Sequence, residues 1–314
     1  MRTTIPLAAF ATILACTHLT DSAHARDRVF VASYGNDANP CTFGSPCKTF
    51  QAAVGAVAAG GEVTAIDSAG FGPINITKSV TITSPDGVEA GIVPNPGSPG
   101  IFINTTGDVF LRGLTIEGGN SGNNGLTVSQ AGTLSIVHCV MRHFTNDGIF
   151  LQPTSGSMQI VIQDSIFSNN GHDGIDIVPT GSGAVTGTID RVTTAGNSFN
   201  GIVVSGVNAT QLVAITNSVS TGNGFDGILV FGSGSAFVIV TVRDTAANSN
   251  GNAGFHASSP AAAIALSHSV AVNNNVGVSV DTSAEVDTTS DNFLAAGNLG
   301  GTVNPGTLTP TGYQ

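Results

Sequence analysis

The sequence predicts an all-β solenoid of short stacked strands, and the main reason is an internal repeat. A phrase of glycine, an apolar residue, any residue and a second apolar residue recurs at Gly100, Gly125, Gly148, Gly174, Gly201, Gly227, Gly254 and Gly277. Successive copies are 25, 23, 26, 27, 26, 27 and 23 residues apart. The alternation inside each copy has the period of a β-strand. One coil cannot bury its apolar face alone, so we expect parallel coils about 4.8 Å apart that share one core.

The composition of the 314 residues excludes several classes of protein. Charged residues make up 9 % and apolar residues 41 % of the chain, which argues against disorder. The formal net charge of −11 argues against a nucleic-acid-binding surface. No apolar run of membrane-spanning length follows the N-terminal segment, so we expect no transmembrane helix.

Residues 1–25 have the pattern of an export signal. Arg2 precedes an apolar run over residues 5–16 that is too short to span a bilayer, and residues 23–25 (Ala-His-Ala) offer a cleavage site. Residues 13–16 (Ile-Leu-Ala-Cys) offer an alternative, because they resemble a bacterial lipobox that would leave Cys16 lipidated. Both alternatives predict an exported protein, in the periplasm, outside the cell or at the cell surface.

Three cysteines follow the signal segment. Cys41 and Cys47 bracket a short turn-forming stretch, and in an oxidising compartment we expect them to form a disulfide. Closing so short a loop stabilises the fold by only about 2 kcal/mol in the chain-entropy model. Cys139 lies between valines and is interpreted as a small buried apolar residue.

The remaining chain divides by its pattern into three parts. Residues 26–99 are predicted to form an N-terminal cap and the first coils, 100–303 the repeated coils, and 304–314 a C-terminal tail. An asparagine stands four residues before five consecutive anchor glycines, at Asn170, Asn197, Asn223, Asn250 and Asn273. Stacked asparagines can hydrogen-bond from coil to coil, so we interpret this column as structural.

The N-terminal phrase adds a family resemblance to the repeat. Residues 28–33 (Arg-Val-Phe-Val-Ala-Ser), 46–53 (Pro-Cys-Lys-Thr-Phe-Gln-Ala-Ala) and the pair Gly60-Gly61 resemble many secreted right-handed parallel β-helix proteins of the pectin-lyase-like superfamily. The resemblance covers residues 29–303 and implies a right-handed, single-stranded parallel β-helix. It also implies that residues 48–59 form a short capping helix, for which Thr49 suits the N-cap and Gly60 the end. The same architecture serves lyases, hydrolases, epimerases, adhesins and non-catalytic scaffolds, so it does not decide the activity.

One set of outward positions is unusually apolar. If the residue after each glycine points inward, the next one points outward, and so does every second residue after it. We interpret the outward residues Phe150, Val203, Leu229 and Phe231 as a binding surface for a polysaccharide or a surface partner. An alternative is that the C-terminal tail or a loop covers this stripe.

A second set of residues is acidic. Asp147 and Asp173 precede their glycines in neighbouring coils, and His172 and Asp176 lie close by in the sequence. Coil stacking would bring the two carboxylates to a separation close to that of a retaining glycosidase, about 5 Å. Arg142, just upstream with His143, could supply a cation or a proton relay.

These residues leave alternatives open. Asp147, Asp173, Asp176, His172 and Arg142 are therefore the candidate catalytic residues of a glycoside hydrolase or polysaccharide lyase. Asp-Gly is also ordinary turn chemistry. Calcium held by Asp147, Asp173 and Asp176 is a further alternative; no other metal or cofactor is implied.

A third column precedes the anchors by about ten residues, and its charges alternate in sign. We expect a charge ladder at a corner of the coil, formed by His138, Asp164, Arg191, Asn217, Asp244, His268 and Asp291.

The motifs of related enzymes are incomplete in this chain. The Asp-Asp pair and the Arg-Ile-Lys motif of polygalacturonases are absent, and after residue 25 there are only two lysines, Lys48 and Lys78. We therefore predict an exported, non-catalytic β-helix scaffold that binds a polysaccharide or a cell-surface partner. The alternative function is a polysaccharide-degrading enzyme that uses the aspartates of one flank.

Overall fold

The structure is a computed structural model that describes residues 26–281, 283–294, 298 and 307–310. The predicted signal segment, with Cys16, lies outside the described residues, as does most of the predicted tail. No helix in the described ranges is both long and apolar enough to cross a membrane.

The described chain is almost entirely β-structure with one short helix near the N-terminus. The helix is α1 (Phe50–Ala56). The strands are β1 (Arg26–Val31), β2 (Val57–Ala65), β3 (Ala69–Gly70), β4 (Ile74–Ile76), β5 (Val80–Thr83), β6 (Ala90–Ile92), β7 (Ile101–Asn104), β8 (Val109–Arg112), β9 (Leu114–Glu117), β10 (Leu126–Gln130), β11 (Thr133–Val137), β12 (Val140–Arg142), β13 (Ile149–Leu151), β14 (Ser157–Gln163), β15 (Ile166–Ser168), β16 (Ile175–Ile177), β17 (Ala184–Asp190), β18 (Thr193–Ala195), β19 (Ile202–Gly206), β20 (Gln211–Thr216), β21 (Val219–Thr221), β22 (Ile228–Gly232), β23 (Val238–Arg243), β24 (Ala246–Asn248), β25 (Ala253–Ala257), β26 (Ala262–Ser267), β27 (Val276–Val280), β28 (Glu285–Thr288) and β29 (Thr307–Pro310).

The strands form three parallel sheets that wind into a right-handed parallel β-helix of about eight turns. Sheet 1 has the order β1-β2-β5-β8-β11-β14-β17-β20-β23-β26-β28-β29. Sheet 2 has the order β27-β25-β22-β19-β16-β13-β10-β7-β4, and sheet 3 has the order β24-β21-β18-β15-β12-β9-β6-β3. Each anchor glycine from Gly100 to Gly227 immediately precedes a strand of sheet 2, so the predicted repeat is the repeat of the coil. The predicted fold class is confirmed.

The core is made of columns in which equivalent apolar residues of successive coils stack on one another. The residue after each anchor glycine forms one such column in sheet 2, by the parallel pairing of Ile101, Leu126, Ile149, Ile175, Ile202, Ile228, Phe255 and Val278. Every member of this column is buried. Burying such side chains stabilises the fold by about 1.5–3 kcal/mol each.

A sharp corner divides each coil between sheets 1 and 3. The corner residues His138, Asp164, Arg191, Asn217, Asp244 and His268 all have φ between 47° and 53°. This left-handed conformation ends the strand of sheet 1, so the strand that follows in sheet 3 is a separate one, as β11 and β12 show. Opposite charges meet at these corners, as in the 2.6 Å contact of Arg191 Nε with Asp164 Oδ1, and such exposed pairs stabilise little.

The asparagine column is confirmed in four of its five predicted members. The Nδ2 of Asn170, Asn197 and Asn223 each donates to the Oδ1 of the next asparagine at 3.0 Å. At the next step, Asn250 Nδ2 donates to Asn274 Oδ1 at 3.1 Å, not to Asn273. Asn273 is exposed and adopts a φ of 58°, because the turn before Gly277 places the following residue at the ladder position.

The predicted cap helix is present but shorter than expected. Thr49 is the N-cap, and its hydroxyl accepts a hydrogen bond from the Ala52 amide at 3.2 Å. The prediction that Gly60 ends the helix is wrong: the helix ends at Ala56, because the buried Val57 is extended and begins β2. Gly60 lies inside β2 with a φ of 81°.

The cysteines follow the sequence prediction. Cys41 and Cys47 form a disulfide, and both side chains are buried beside the cap. Cys139 is a buried free thiol, and burial raises its pKa to about 11.

Removing one rung of the asparagine column tests its structural role. We expect Asn223→Ala to lower the free energy of unfolding by about 2–3 kcal/mol, because it leaves buried partners in two coils without hydrogen bonds. Urea unfolding measures this loss. Asn146→Ala, at an exposed turn position, is the control and changes stability by about 0.5 kcal/mol or less. Equal losses in the two variants would contradict the role of the column.

Candidate functional site

A second polar column runs along the turn that leads into sheet 2. It consists of the residues immediately before five of the eight anchor glycines, Asn124, Asp147, Asp173, Asn200 and Asp226, and we call it the pre-glycine column. In each case the Oδ1 atom accepts a hydrogen bond from the backbone amide of the next coil, at 2.6–3.0 Å. The geometry is the same for Asn and Asp, so the three aspartates add buried charge without changing the turn.

His172 joins two of these aspartates. Its Nδ1 lies 2.9 Å from Asp147 Oδ1 and 3.0 Å from Asp173 Oδ2. Both carboxylates are buried, whereas the imidazole is partly exposed. The predicted meeting of Asp147 and Asp173 is thus present in the structure, with a histidine between them.

Asp176 lies on the outward side of β16, beside this cluster. No hydrogen bond or salt bridge to its carboxylate is found among the described residues, although it interacts electrostatically with His172. Burial raises its pKa to about 8, and repulsion from Asp147 and Asp173 adds to the effect. Burial likewise raises the pKa of Asp173 to about 6. Desolvation is thus the main cause of the raised pKa of both carboxyl groups, and like-charge repulsion is secondary.

Arg142 and His143 do not join the aspartates. The Arg142 Nε donates to Glu117 Oε2 at 2.7 Å, and His143 Nδ1 lies 2.7 Å from Glu117 Oε1. Arg142 ends β12 in sheet 3, whereas the aspartates lie at sheet 2. Within the described ranges, neither residue has an ion pair with the aspartates, so the predicted cation or relay is not assembled there.

The ligand atoms of Asp147, His172 and Asp173 can be compared with those that calcium prefers. One ligand atom each from Asp147, His172 and Asp173 can be chosen so that all lie within 4.8 Å of one another. Calcium prefers six to eight oxygen ligands. Here the imidazole nitrogen occupies the space between the carboxylates, and both Oδ1 atoms already accept backbone hydrogen bonds. A calcium ion held by Asp147, Asp173 and Asp176 would have to displace the imidazole of His172 from between the carboxylates, and calcium binding stays a prediction.

The predicted apolar stripe lies on the outward surface of sheet 2. Parallel pairing aligns one outward row over successive coils, which comprises Asn75, Phe102, Thr127, Phe150, Asp176, Val203, Leu229, His256 and Ser279. Phe150 and Leu229 are half-buried, whereas Val203 is only 8 % exposed. Phe231, one outward position further along β22, is 41 % exposed. The described part of the predicted tail, β29, pairs in sheet 1 and does not cover this stripe.

Two exposed phenylalanines lie in the turns that lead into sheet 2, and the sequence analysis missed them. Phe199 and Phe225 stand two residues before their glycines and are 45 % and 52 % exposed. Their ring centroids lie 6.3 Å apart, and the Phe199 centroid lies 4.6 Å from that of His172. We call His172, Phe199 and Phe225 the aromatic column. Reading the repeat two positions before each glycine would have revealed it.

A second histidine cluster lies three coils further along the outward row and was also missed. His256 Nδ1 lies 2.8 Å from Asp226 Oδ2, and its Nε2 lies 3.3 Å from Asp281 Oδ1. These aspartates raise the pKa of His256 against the opposing effect of its burial. Ser258 Oγ donates to Asp281 Oδ2 at 2.8 Å. Asp226, His256 and Asp281 thus connect three successive coils.

Comparisons with known proteins agree with the architecture. The family model described as "Right handed beta helix region" matches residues 66–214. Solved structures with the same fold include pectate lyase Pel9A, which is 18 % identical over 88 % of this chain and 76 % of that chain, with a TM-score of 0.66. A rhamnogalacturonan lyase is 12 % identical over 84 % of this chain and 74 % of that chain, with a TM-score of 0.54.

A third structure is the A-module of the Azotobacter vinelandii mannuronan C-5 epimerase AlgE6. It is 16 % identical over 82 % of this chain and 94 % of that chain, with a TM-score of 0.53. No curated protein sequence matches this chain. At these identities the likeness shows the fold, which this chain shares with polysaccharide lyases and epimerases.

The raised pKa values predict how stability depends on pH. Asp173, Asp176, His172 and His256 bind protons more tightly in the folded than in the unfolded chain. Their contribution is therefore complete at low pH and is lost as pH rises through the folded pKa values, so the free energy of unfolding falls between about pH 4 and pH 8. We expect a shallower fall in Asp176→Asn, measured by urea unfolding across this range. Asp244→Asn, at a corner away from sheet 2, keeps the wild-type fall; equal slopes in wild type and Asp176→Asn would contradict the assignment.

Proposed function

We propose that this chain is an exported protein that binds a polysaccharide along the outward surface of sheet 2 and does not cleave it. The observation that carries the proposal is the exposed, stacked pair Phe199 and Phe225 in the turns that lead into sheet 2, whose outward row contains the accessible side chains of Phe150 and Leu229. Exposed apolar surface of this kind marks interaction sites. The disulfide between Cys41 and Cys47 supports an oxidising compartment.

The shape of the surface supports an extended ligand. Successive coils place equivalent side chains about 4.8 Å apart in a straight column. Phe150, Leu229 and Phe231 are accessible at both ends of a stretch that spans four coils. Sugar rings can stack on such apolar groups, while Asp176 and His256 offer hydrogen bonds in the same row. A linear polymer that runs along the coil axis meets all of these groups.

Three features support binding without cleavage. The buried Asp147 and Asp173 already accept backbone hydrogen bonds that hold neighbouring coils together. Arg142 is held by Glu117 on another sheet. No lysine or arginine lies in a strand of sheet 2 or in the turns that lead into it, within the residues the structure describes. A polysaccharide lyase uses a cation to help remove the proton next to the carboxylate of a uronate sugar. This surface therefore lacks such a cation.

One observation favours a second candidate function. The carboxyl of Asp176, with its pKa raised to about 8, is protonated at neutral pH and could act as a general acid. Asp173, with a pKa raised to about 6, would be mostly ionised under the same conditions. One protonated and one ionised carboxyl group are the catalytic groups of a glycoside hydrolase.

Substitution of the apolar surface tests the binding proposal. We expect Phe150→Ala combined with Leu229→Ser to weaken polysaccharide binding at least tenfold, about 1.4 kcal/mol, because it removes one stacking surface and one aliphatic contact. Affinity electrophoresis across neutral and acidic polysaccharides measures this effect. The loss of binding should be the same in the presence of EDTA, because the proposed binding requires no metal. Ile166→Ala combined with Val219→Ser, which removes apolar groups of sheet 3 that are 43 % and 39 % exposed, is the matched control. Equal binding by both double variants would refute the proposed surface.

Product analysis separates binding from cleavage. We expect the purified protein to release neither reducing ends nor unsaturated products from the same polysaccharides, with calcium or with EDTA. If product appears and is lost in Asp176→Asn, the glycoside hydrolase takes the place of the binding protein. Retention of product formation in that variant would remove Asp176 from the catalytic role.

A further inference from the structure

Charge is distributed unequally between the sheets. The aspartates Asp147, Asp173 and Asp226 lie in the turns that lead into sheet 2, with Asp176 in β16 and Asp281 directly after β27. The arginines beyond the cap, in contrast, lie in sheets 1 and 3 or at the corner between them, at Arg112, Arg142, Arg191 and Arg243. The ionisable groups of the proposed binding surface are therefore carboxyl groups and histidines, with no lysine or arginine among the described residues there.

The two histidines do not make this surface positively charged. His172 lies between two carboxylates and next to Asp176, and His256 lies between Asp226 and Asp281. Each imidazolium is thus outnumbered by the carboxylates that contact it. An anionic polymer would meet repulsion along the surface, whereas a cation would be attracted to it.

The groups best placed to receive a cation are next to one another. Phe199 stacks on His172, and His172 interacts electrostatically with the outward Asp176, whose carboxylate has no hydrogen bond from the described chain. The rings of Phe199 and Phe225 are exposed and stacked. A carboxylate can bind an ammonium group by a charge-assisted hydrogen bond, and exposed aromatic rings nearby can add cation–π attraction.

We propose that the polysaccharide bound by sheet 2 is an amino-sugar polymer with protonated amino groups, held by Asp176 and by the exposed rings of Phe199 and Phe225. This inference rests on the proposed function, because it names the ligand class of the same surface. Sugar rings would stack on the aromatic column, while an ammonium group would pair with the Asp176 carboxylate. The chain's net charge of −11 would attract such a polymer from a distance.

Binding of an ammonium group should also release a proton. Because burial raises the pKa of Asp176 to about 8, its carboxyl holds a proton at neutral pH in the unbound protein. An adjacent cation favours the ionised form, so the proton passes to the buffer when the ligand binds. Calorimetry in two buffers of different ionisation enthalpy measures this release.

Two oligosaccharides that differ only in the charge of their amino groups provide the decisive test. We use β-1,4-linked glucosamine oligomers and N-acetylglucosamine oligomers of equal length, at a pH where the free amines are protonated. We expect calorimetry to show at least tenfold tighter binding of the glucosamine oligomer, with release of a proton. Asp176→Asn should abolish the preference and the proton release but keep binding of the acetylated oligomer. Phe199→Ala should weaken binding of both.

A matched control separates a site from general attraction to an acidic protein. Asp244→Asn removes an exposed carboxylate away from sheet 2 and should leave the preference unchanged. A preference that survives Asp176→Asn, or that Asp244→Asn lowers equally, would overturn the inference as non-specific attraction.

The remaining outcomes distinguish this inference from the proposed function. Equal or weaker binding of the glucosamine oligomer overturns the inference. The proposed function still stands if the acetylated oligomer or a neutral polysaccharide binds and Phe150→Ala with Leu229→Ser weakens it. Absence of binding to any oligomer or polysaccharide overturns both.

Discussion

The parallel register of the coils is the constraint on which the rest of this structure depends. Each residue pairs with its equivalent one turn away, so any side chain is stacked on the same position of its neighbours. A buried polar group therefore needs a partner within the next coil or its hydrogen-bonding capacity is lost. Asn197 satisfies this by accepting from one coil and donating to the next, and the inward isoleucines of sheet 2 satisfy it by having no polar groups.

The candidate site lies where the pre-glycine column has aspartate in place of asparagine and keeps the same hydrogen-bond geometry. Asn124 and Asn200 show that an amide suffices to hold the turn before the glycine, since their Oδ1 atoms accept the same bond as those of the aspartates. Asp147 and Asp173 therefore introduce buried charge that the turn does not require. His172 partly offsets it, but burial still raises the pKa of Asp173 to about 6. Destabilised charge without a structural need is typical of functional sites.

The sequence predicts the fold far better than it predicts the site, and the reason is periodicity. The anchor glycines, the Cys41–Cys47 pair and the cap at Thr49 are local or repeated signals, and all three are confirmed. Arg142 was assigned to the aspartates because it is close in sequence, but a corner of the coil directs it to Glu117 instead. His256 and Asp226 are 30 residues apart, and only the register of successive coils brings them together.

Asn273 and the aromatic column are two further features that the sequence alone did not predict. A turn one residue shorter moves the ladder position to Asn274, which counting back from Gly277 could not detect. In the sequence, Phe199 and Phe225 look like unrelated loop residues. In the structure, the backbone amide of Phe225 donates a hydrogen bond to the carbonyl of Phe199 at 2.9 Å. Their stacking depends on that backbone pairing and not on any local motif.

The anchor glycine connects the predictable fold to the less predictable site. A Cβ at Gly174 would lie 2.6 Å from the carbonyl oxygen of Gly201, and one at Gly148 would lie 2.5 Å from that of Gly174. Only glycine therefore allows successive turns to approach so closely. Because the turns are this close, Asp147 can reach the Asp173 amide, and His172 can contact both carboxylates at once. The anchor glycine makes the repeat recognisable in the sequence. By allowing this close approach, it also brings the flanking charged and aromatic side chains together.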